Sequence, residues 1–372
     1  MDAHEHTNSR AAHATGPWHR LTLWMVAHKK TTAIVVGAVL IVAAGLLSFI
    51  VFYQRPVAEV VVPLTHAIGH KPTAPKYYAP LTGLEVPDEA ATKGNITAIM
   101  IENSPSARPQ SGLQQADTVY EAIAEGGITR FAALYQQNRP ELIGPVRSVR
   151  MYYLDWLSPY DAGIAHVGGS LFALQEIRNG THKDLDQFFN AGTYWRSTDR
   201  YAPHNVYTSF AKLDALNTSR GYTQSNPQPI PRQDAPAEGK PANNIQVTMS
   251  TALYNSSWQY DTPSNSYLRS QGGAPHIDRE KGQITSNVVV VLKQQMDTIM
   301  EDGYRENYHT SGTGDAVVFW GGKAAEVTWH KENMRTQFFF TDKQTGKPFP
   351  LPRGKVWLTA IPINTGGVVS WQ

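Results

Sequence analysis

Cysteine is absent from all 372 residues. That absence excludes disulfide staples, thiolate metal sites, a cysteine nucleophile and a lipidated cysteine anchor. Excess charge is also missing: 33 Lys+Arg stand against 31 Asp+Glu, and charged residues make up 17% of the chain. Near-neutrality excludes a nucleic-acid binder of the simple electrostatic kind, so no nucleic-acid partner is expected. The chain holds no His-Glu-x-x-His, no P-loop, no Gly-x-Gly-x-x-Gly and no Gly-x-Ser-x-Gly elbow. The expected reading is therefore no metal and no cofactor. No repeat of fixed period is present. A hydrophobic share of 41% is ordinary for a globular protein, and at roughly 100–200 residues per domain the length predicts two domains with accessory segments.

One long apolar run is present. Thr31 to Tyr53 holds 23 residues without a charge. A bilayer core takes about 20 apolar residues in a helix, and a soluble helix of this length would show a polar face. Lys29 and Lys30 precede the run, and Arg55 is the only Lys or Arg between it and Lys71. By the positive-inside rule the run is an uncleaved signal anchor, with 1–30 cytoplasmic and 54–372 extracytoplasmic, single-pass. Residues 1–30 read as a polar arm; their His4, His6, His13, His19 and His28 fit no tight ligand spacing. Residues 54–80, with Pro56, Pro63, Pro72, Pro75 and Pro80, read as an extended stalk.

Beyond the stalk the predicted class is α+β. The region 81–222 mixes strands and helices: strands over 95–103, 116–124 and 128–136, the last two joined through Gly126-Gly127 as a hairpin, then helices over 149–157, 170–178 and from 210, with a strand at 161–167. Residues 223–244 hold five prolines and read as a linker. From 245 to 372 the apolar runs alternate with turn residues, as expected of a mainly antiparallel β domain.

The densest polar cluster is in the first region. Arg108, Glu121, Glu125, Arg130, Arg147 and Arg150 flank predicted strands and turns. Arginine presents a planar fork suited to phosphate or carboxylate. Gly144-Pro145 is placed to open a helix that would set Arg147 and Arg150 on one face. The competing reading is that these residues pair with one another as structural ion pairs. His166, before Gly168-Gly169-Ser170, is either a site residue or a satisfied core histidine. His204 and Asn205, in a loop stiffened by Pro203, read as site residues. Ser209-x-x-Lys212 is too short a match to carry a catalytic pair. Trp258, Tyr260, Tyr267, Trp320, Trp329 and Trp357 read as core, or as a stacking face if exposed together.

Several long motifs resemble one known family. MIENSPSARPQSGLQQADTVYEAIAEGGITRF, IGPVRSVR, HVGGS, APHNVYTS, HIDREKGQITSNVVV, GTGDAVVFWGGKAAEVTWHK and GKPFPLPRGKVWLTAIP, spread over residues 82–365, resemble the YerB-like family of bacterial extracytoplasmic proteins, a domain of unknown function in two parts. The resemblance implies a bacterial cell-envelope protein and no particular reaction. Many such proteins look like cysteine-tethered lipoproteins, whereas this chain uses an apolar helix. Three functions stand: binding an anionic envelope component (peptidoglycan, a teichoic-type polymer or a lipid-linked precursor); an envelope-polymer hydrolase or phosphate-group transferase; or a scaffold for an envelope synthase. The expected partners are the membrane and a cell-wall polymer or envelope protein.

Overall fold

The computed structural model describes residues 17–53, 75–298 and 306–372; most of the predicted stalk and the start of the arm lie outside them. The described residues fall into two units, one within 1–73 and the other within 74–372. The first holds helices α1 (Pro17–Ala27) and α2 (Lys29–Tyr53). Within the polar arm read from the sequence, Pro17–Ala27 is helical, and Trp18, Leu21, Leu23, Trp24 and Val26 are exposed. Lys29–Ile50 has a mean hydropathy of 2.8 and is long and apolar enough to cross a membrane.

The second unit is α+β, built on an 11-stranded mixed sheet. Its strands include β1 (Thr97–Glu102), β2 (Thr118–Glu125), β3 (Ile128–Tyr135), β4 (Gly163–His166), β5 (Lys183–Asp186) and β6 (Lys240–Pro241). A second sheet of six strands contains β7 (Asn244–Thr248), β8 (Ser256–Asp261), β9 (Ser266–Gln271) and β10 (Ala274–Pro275). The chain then returns to the large sheet with β11 (Val288–Gln294), β12 (Gly312–Trp320), β13 (Lys323–Lys331), β14 (Phe339–Asp342) and β15 (Val356–Pro362). It ends on β16 (Val368–Trp371), at the edge of the smaller sheet. In the large sheet the order is β6-β13-β12-β11-β15-β2-β3-β1-β4-β5, with β14 on β13.

The junction of the two sequence halves is the parallel pair β15–β2, in which Val356, Trp357, Leu358 and Thr359 lie opposite Thr118, Val119, Tyr120 and Glu121. Strands from both halves thus form one sheet. The proline-rich stretch 223–244 is strapped to the sheet system: Arg232–Gln233 pairs in parallel with Leu351–Pro352, and β6 pairs with β13.

Two layers cover the large sheet. Helix α3 (Met151–Leu157) packs on one face, where Trp156 stacks on Tyr120 at 5.7 Å. The smaller sheet covers the other, where Trp258 meets Trp357 edge-on at 5.4 Å. Trp258, Tyr267, Trp320, Trp329 and Trp357 are buried; they are core, as their spacing within β-rich segments suggests. Helix α4 (Leu171–Glu176) follows Ser170, and α5 (Phe210–Ser219) is capped by Ser209 Oγ accepting from the Lys212 amide.

One local expectation fails. Residues 144–150 are not a helix: the amide of Val146 donates to Val206 O and that of Arg147 to Met100 O, and the helix starts only at Met151. The end of β1 presents unpaired backbone groups, and this segment satisfies them in extended form. Arg147 and Arg150 therefore do not share a helix face.

Candidate functional site

The sequence-selected residues separate according to the faces of the central sheet. In the β2–β3 hairpin Glu121 lies opposite Phe131, and Ala122 opposite Arg130. Successive side chains point to opposite faces, so Glu121 and Arg130 part company. A register shift between Ile123 and Glu125 adds one residue to β2. Such a bulge reverses the alternation, and it carries Glu125 over to the Arg130 face.

On the α3 face Glu125 Oε1 accepts from Arg130 Nη2 at 2.7 Å, and Oε2 accepts from Arg150 Nη2. Arg130 Nη1 also donates to Ser148 O at 2.9 Å. Burial alone would raise the Glu125 carboxyl, but the charges of Arg130 and Arg150 outweigh it and hold the pKa at about 2. The two arginine side chains are 2% and 6% exposed, so neither guanidinium is open to a large ligand.

Nearby, Glu102 Oε1 lies 2.8 Å from His204 Nδ1 and accepts from Ser104 Oγ at 3.0 Å. Arg147 Nε is 3.6 Å away, and the Arg147 and His204 side chains are each 26% exposed. Asn205 is taken up by its own loop: its Oδ1 accepts from Arg196 Nη1 at 2.8 Å, and its Nδ2 donates to Ser197 O and Arg200 O. His166 is a satisfied core residue. Its Nδ1 lies 2.7 Å from Gly168 O and its Nε2 3.0 Å from Asp184 Oδ1.

The face toward the smaller sheet holds a closed ring of polar side chains. Arg269, which is fully buried, donates through Nη2 to both oxygens of Glu121 at 2.8 and 2.9 Å. Its Nη1 donates to His276 Nδ1 and to Gln271 Oε1. An acceptor at Nδ1 fixes His276 as the Nε2–H tautomer, which donates to Gln110 Oε1 at 2.9 Å. Gln110 Nε2 donates to Asn103 Oδ1 at 3.0 Å, Asn103 Nδ2 to Thr129 Oγ1 at 2.6 Å, and Thr129 Oγ1 to Glu121 Oε1 at 3.4 Å. Burial, then the Arg269 charge, holds the His276 pKa well below the ordinary imidazole value. Trp357 Nε1 adds a further donor to Glu121 at 2.9 Å.

Arg108 stands outside this ring and braces it. Its Nε donates to Asn103 Oδ1 at 3.1 Å, and its Nη2 to Asn103 O at 2.9 Å and Leu253 O at 3.1 Å. It lies over the Tyr254 ring at 5.3 Å. Among the described residues these contacts include no carboxylate, and Nη1 makes no hydrogen bond. Arg108 sits at a cleft of about 500 Å³ whose other lining residues are Pro109, Leu253, Gln271, Gly272, Ala274, Pro275, His276 and Ile277. Another cavity, of about 300 Å³ between Lys293 and Trp329, holds none of the arginines, glutamates or histidines selected from the sequence. No group of three or more His, Asp or Glu side chains among the described residues is placed to hold a metal ion.

The sequence reading missed Arg269, Gln271 and Gln110 as members of this system. A faint signal existed in β9, where Tyr267, Arg269 and Gln271 share one face by alternation and are all buried. A charged residue in phase with an aromatic is unusual on an inward-facing strand.

Residues 81–223 match the N-terminal domain, and residues 245–358 the C-terminal domain, of the family described as protein of unknown function (DUF3048). The chain belongs to that family. It is 34% identical over 300 residues to a Bacillus subtilis (strain 168) protein named "Putative lipoprotein YerB", a match covering 78% of this chain and 88% of the relative. The crystal structure of YerB protein from Bacillus subtilis matches with a TM-score of 0.70 at 30% identity, covering 79% of this chain and all of that one. The family resemblance read from the motifs is therefore correct. The apolar helix of this chain is compatible with a membrane anchor, as is the lipoprotein in the relative's printed name.

Proposed function

We propose that this is a single-pass, membrane-anchored extracytoplasmic protein that binds an anionic component of the cell envelope at the Arg108 cleft. One observation carries the reading. Arg130 and Arg150 are held by Glu125, Arg147 by Glu102 and Arg269 by Glu121, whereas Arg108 has only neutral acceptors and borders an open cleft. A half-buried guanidinium without a counter-ion favours an anionic ligand. The placement of the cleft outside the cell rests on the Lys29-Lys30 flank of the apolar helix.

Binding of the full chain to sacculi, teichoic-type polymer and lipid-linked precursor tests the reading. Losing a charge-assisted hydrogen bond, worth about 1.5–3 kcal/mol, weakens binding roughly tenfold or more in Arg108→Ala. Arg147→Ala should bind as wild type. Equal binding by wild type and Arg108→Ala overturns the proposal. A reporter fused after Gln372 should be active only if it is an export-dependent enzyme.

The hydrolase alternative rests on His204, which Glu102 orients at 2.8 Å while leaving Nε2 without a described hydrogen bond. Ser104 Oγ, however, lies 3.2 Å from the same Nδ1, on the wrong nitrogen for a serine nucleophile activated by a carboxylate-oriented histidine. Binding is therefore preferred. A scaffold docking through its β-rich half would need an exposed aromatic face there, and Trp258, Trp320, Trp329 and Trp357 are buried.

A further inference from the structure

We infer that the Arg108 cleft takes a single carboxylate carried on a small apolar body, of the kind found at the C-terminal end of a short peptide with methyl-sized side chains. The inference rests on the anion-binding reading above and deepens it.

The first argument is a count of charge and donors. Nε and Nη2 of Arg108 are engaged by Asn103 and Leu253, so Nη1 is the group left for a ligand. One cation with one free nitrogen offsets one negative charge. Behind it, the His276 imidazole is neutral and the Arg269 charge is matched by Glu121. A pyrophosphate or phosphomonoester would bring two or more charges into a site with a single uncompensated cation, and the surplus would be desolvated without a partner.

The second argument is the polarity of the inner wall. Gln271 lines the cleft, its Oε1 accepts from Arg269, and its buried Nε2 has no hydrogen-bond partner. Ser256, opposite Gln271 in the β8–β9 register, likewise has an unpartnered buried hydroxyl. The Gln271 Nε2 amide is a donor with nothing to donate to, and the Ser256 hydroxyl is free to donate as well, so the inner wall offers hydrogen-bond donors to an anion beside Arg108.

The third argument is the chemistry of the rim. Pro109, Leu253, Ala274, Pro275 and Ile277 make most of the wall, and the prolines offer no N–H. Leu253 and Ile277 are 54% and 39% exposed, so an apolar ligand would cover surface that is now wet. A phosphodiester between polyols is also a monoanion, but against this wall its hydroxyls would lose water without gaining partners. A volume of about 500 Å³ lies within the roughly 300–1,000 Å³ of small-molecule sites.

The test uses the full chain in lipid nanodiscs and four probes: N-acetyl-alanylalanine, its C-terminal amide, glycerophosphoglycerol and inorganic pyrophosphate. Calorimetry should show the free acid binding at least tenfold tighter than the other three. Arg108→Ala and Arg108→Lys should each lose most of that binding, and Leu253→Asp should weaken it several-fold with an unchanged melting temperature. If glycerophosphoglycerol or pyrophosphate binds more tightly, in a way that Arg108→Ala abolishes, the carboxylate assignment is wrong and the anion-binding reading stands. If no probe binds, or if binding is indifferent to Arg108→Ala in a variant of native circular dichroism, both fall.

Discussion

Glu121 and Glu125 lie on the same strand and meet arginines in very different surroundings. Glu121 is fully buried between two sheets, with Arg269, Trp357, Thr129 and Thr359 all directed at its oxygens. Glu125 is 28% exposed and holds two arginines at the edge of the α3 layer. One extra residue in β2 makes the difference, because it turns the second carboxylate to the opposite face. The comparison teaches that a dense polar cluster in sequence is not one site. The same residue types build a closed internal ring on one face and a half-open ion-pair triad on the other.

The largest effect should come from opening the ring. Removing one member of a buried pair leaves an uncompensated charge, at a cost of about 3–5 kcal/mol. Glu121→Gln or Arg269→Met should each lower the urea midpoint by that order, with the folded fraction followed by tryptophan fluorescence. The double variant Glu121→Leu/Arg269→Met should regain much of the loss, since it removes both charges together. If Arg269→Met alone costs less than about 1 kcal/mol, the ring is not a desolvated network.

The triad should answer to pH instead. The folded pKa of Glu125 is about 2, depressed from the ordinary carboxylate value of 4.5. A depressed carboxylate contributes stability above its unfolded pKa and loses it as pH falls through the folded value. The triad's contribution should therefore be complete at pH 6 and drain away between about pH 4.5 and pH 2, by an amount on the order of 2–3 kcal/mol. Urea unfolding of wild type and Glu125→Gln at pH 6 and pH 2.5 checks the sign. The gap between the two proteins should be wide at pH 6 and narrow at pH 2.5, and a gap that widens on acidification would contradict the assignment.

Much of the backbone was legible. The strands at 97–102, 118–125, 128–135 and 163–166 and the helices beginning at 151, 171 and 210 fall within a few residues of their periodic runs. Local pattern and turn residues suffice for elements of this kind. What the pattern could not convey is non-local. Pairing of β15 with β2 joins residues more than 200 positions apart, and no periodicity records it. The bulge after Ile123 is invisible in sequence because Ala124 fits either register. Arg108 was found by residue type and its partner Asn103 is local, but its contact with Leu253 and the cleft lined by Gln271 and His276 depend on β8, β9 and β10 lying against the first half. The helix expected to carry Arg147 and Arg150 failed because tertiary hydrogen bonding at the end of β1 overrode a local start signal.

The smallest effect should come from Arg147, whose pairing with Glu102 is the loosest of the three arrangements. Its Nε is 3.6 Å from Glu102 Oε1, beyond hydrogen-bond distance, and its side chain is 26% exposed. Glu102 does not depend on it, because His204 and Ser104 contact the same oxygen at 2.8 and 3.0 Å. A partly exposed pair of this geometry is worth about 0–1 kcal/mol and is screened by salt. Arg147→Ala should therefore shift the urea midpoint by less than a third of the shift in Arg269→Met, and raising the salt concentration should erase most of it. A loss for Arg147→Ala that rivals Arg269→Met would mean that burial does not rank these networks, and the contrast between the two faces of the sheet would no longer explain their energetics.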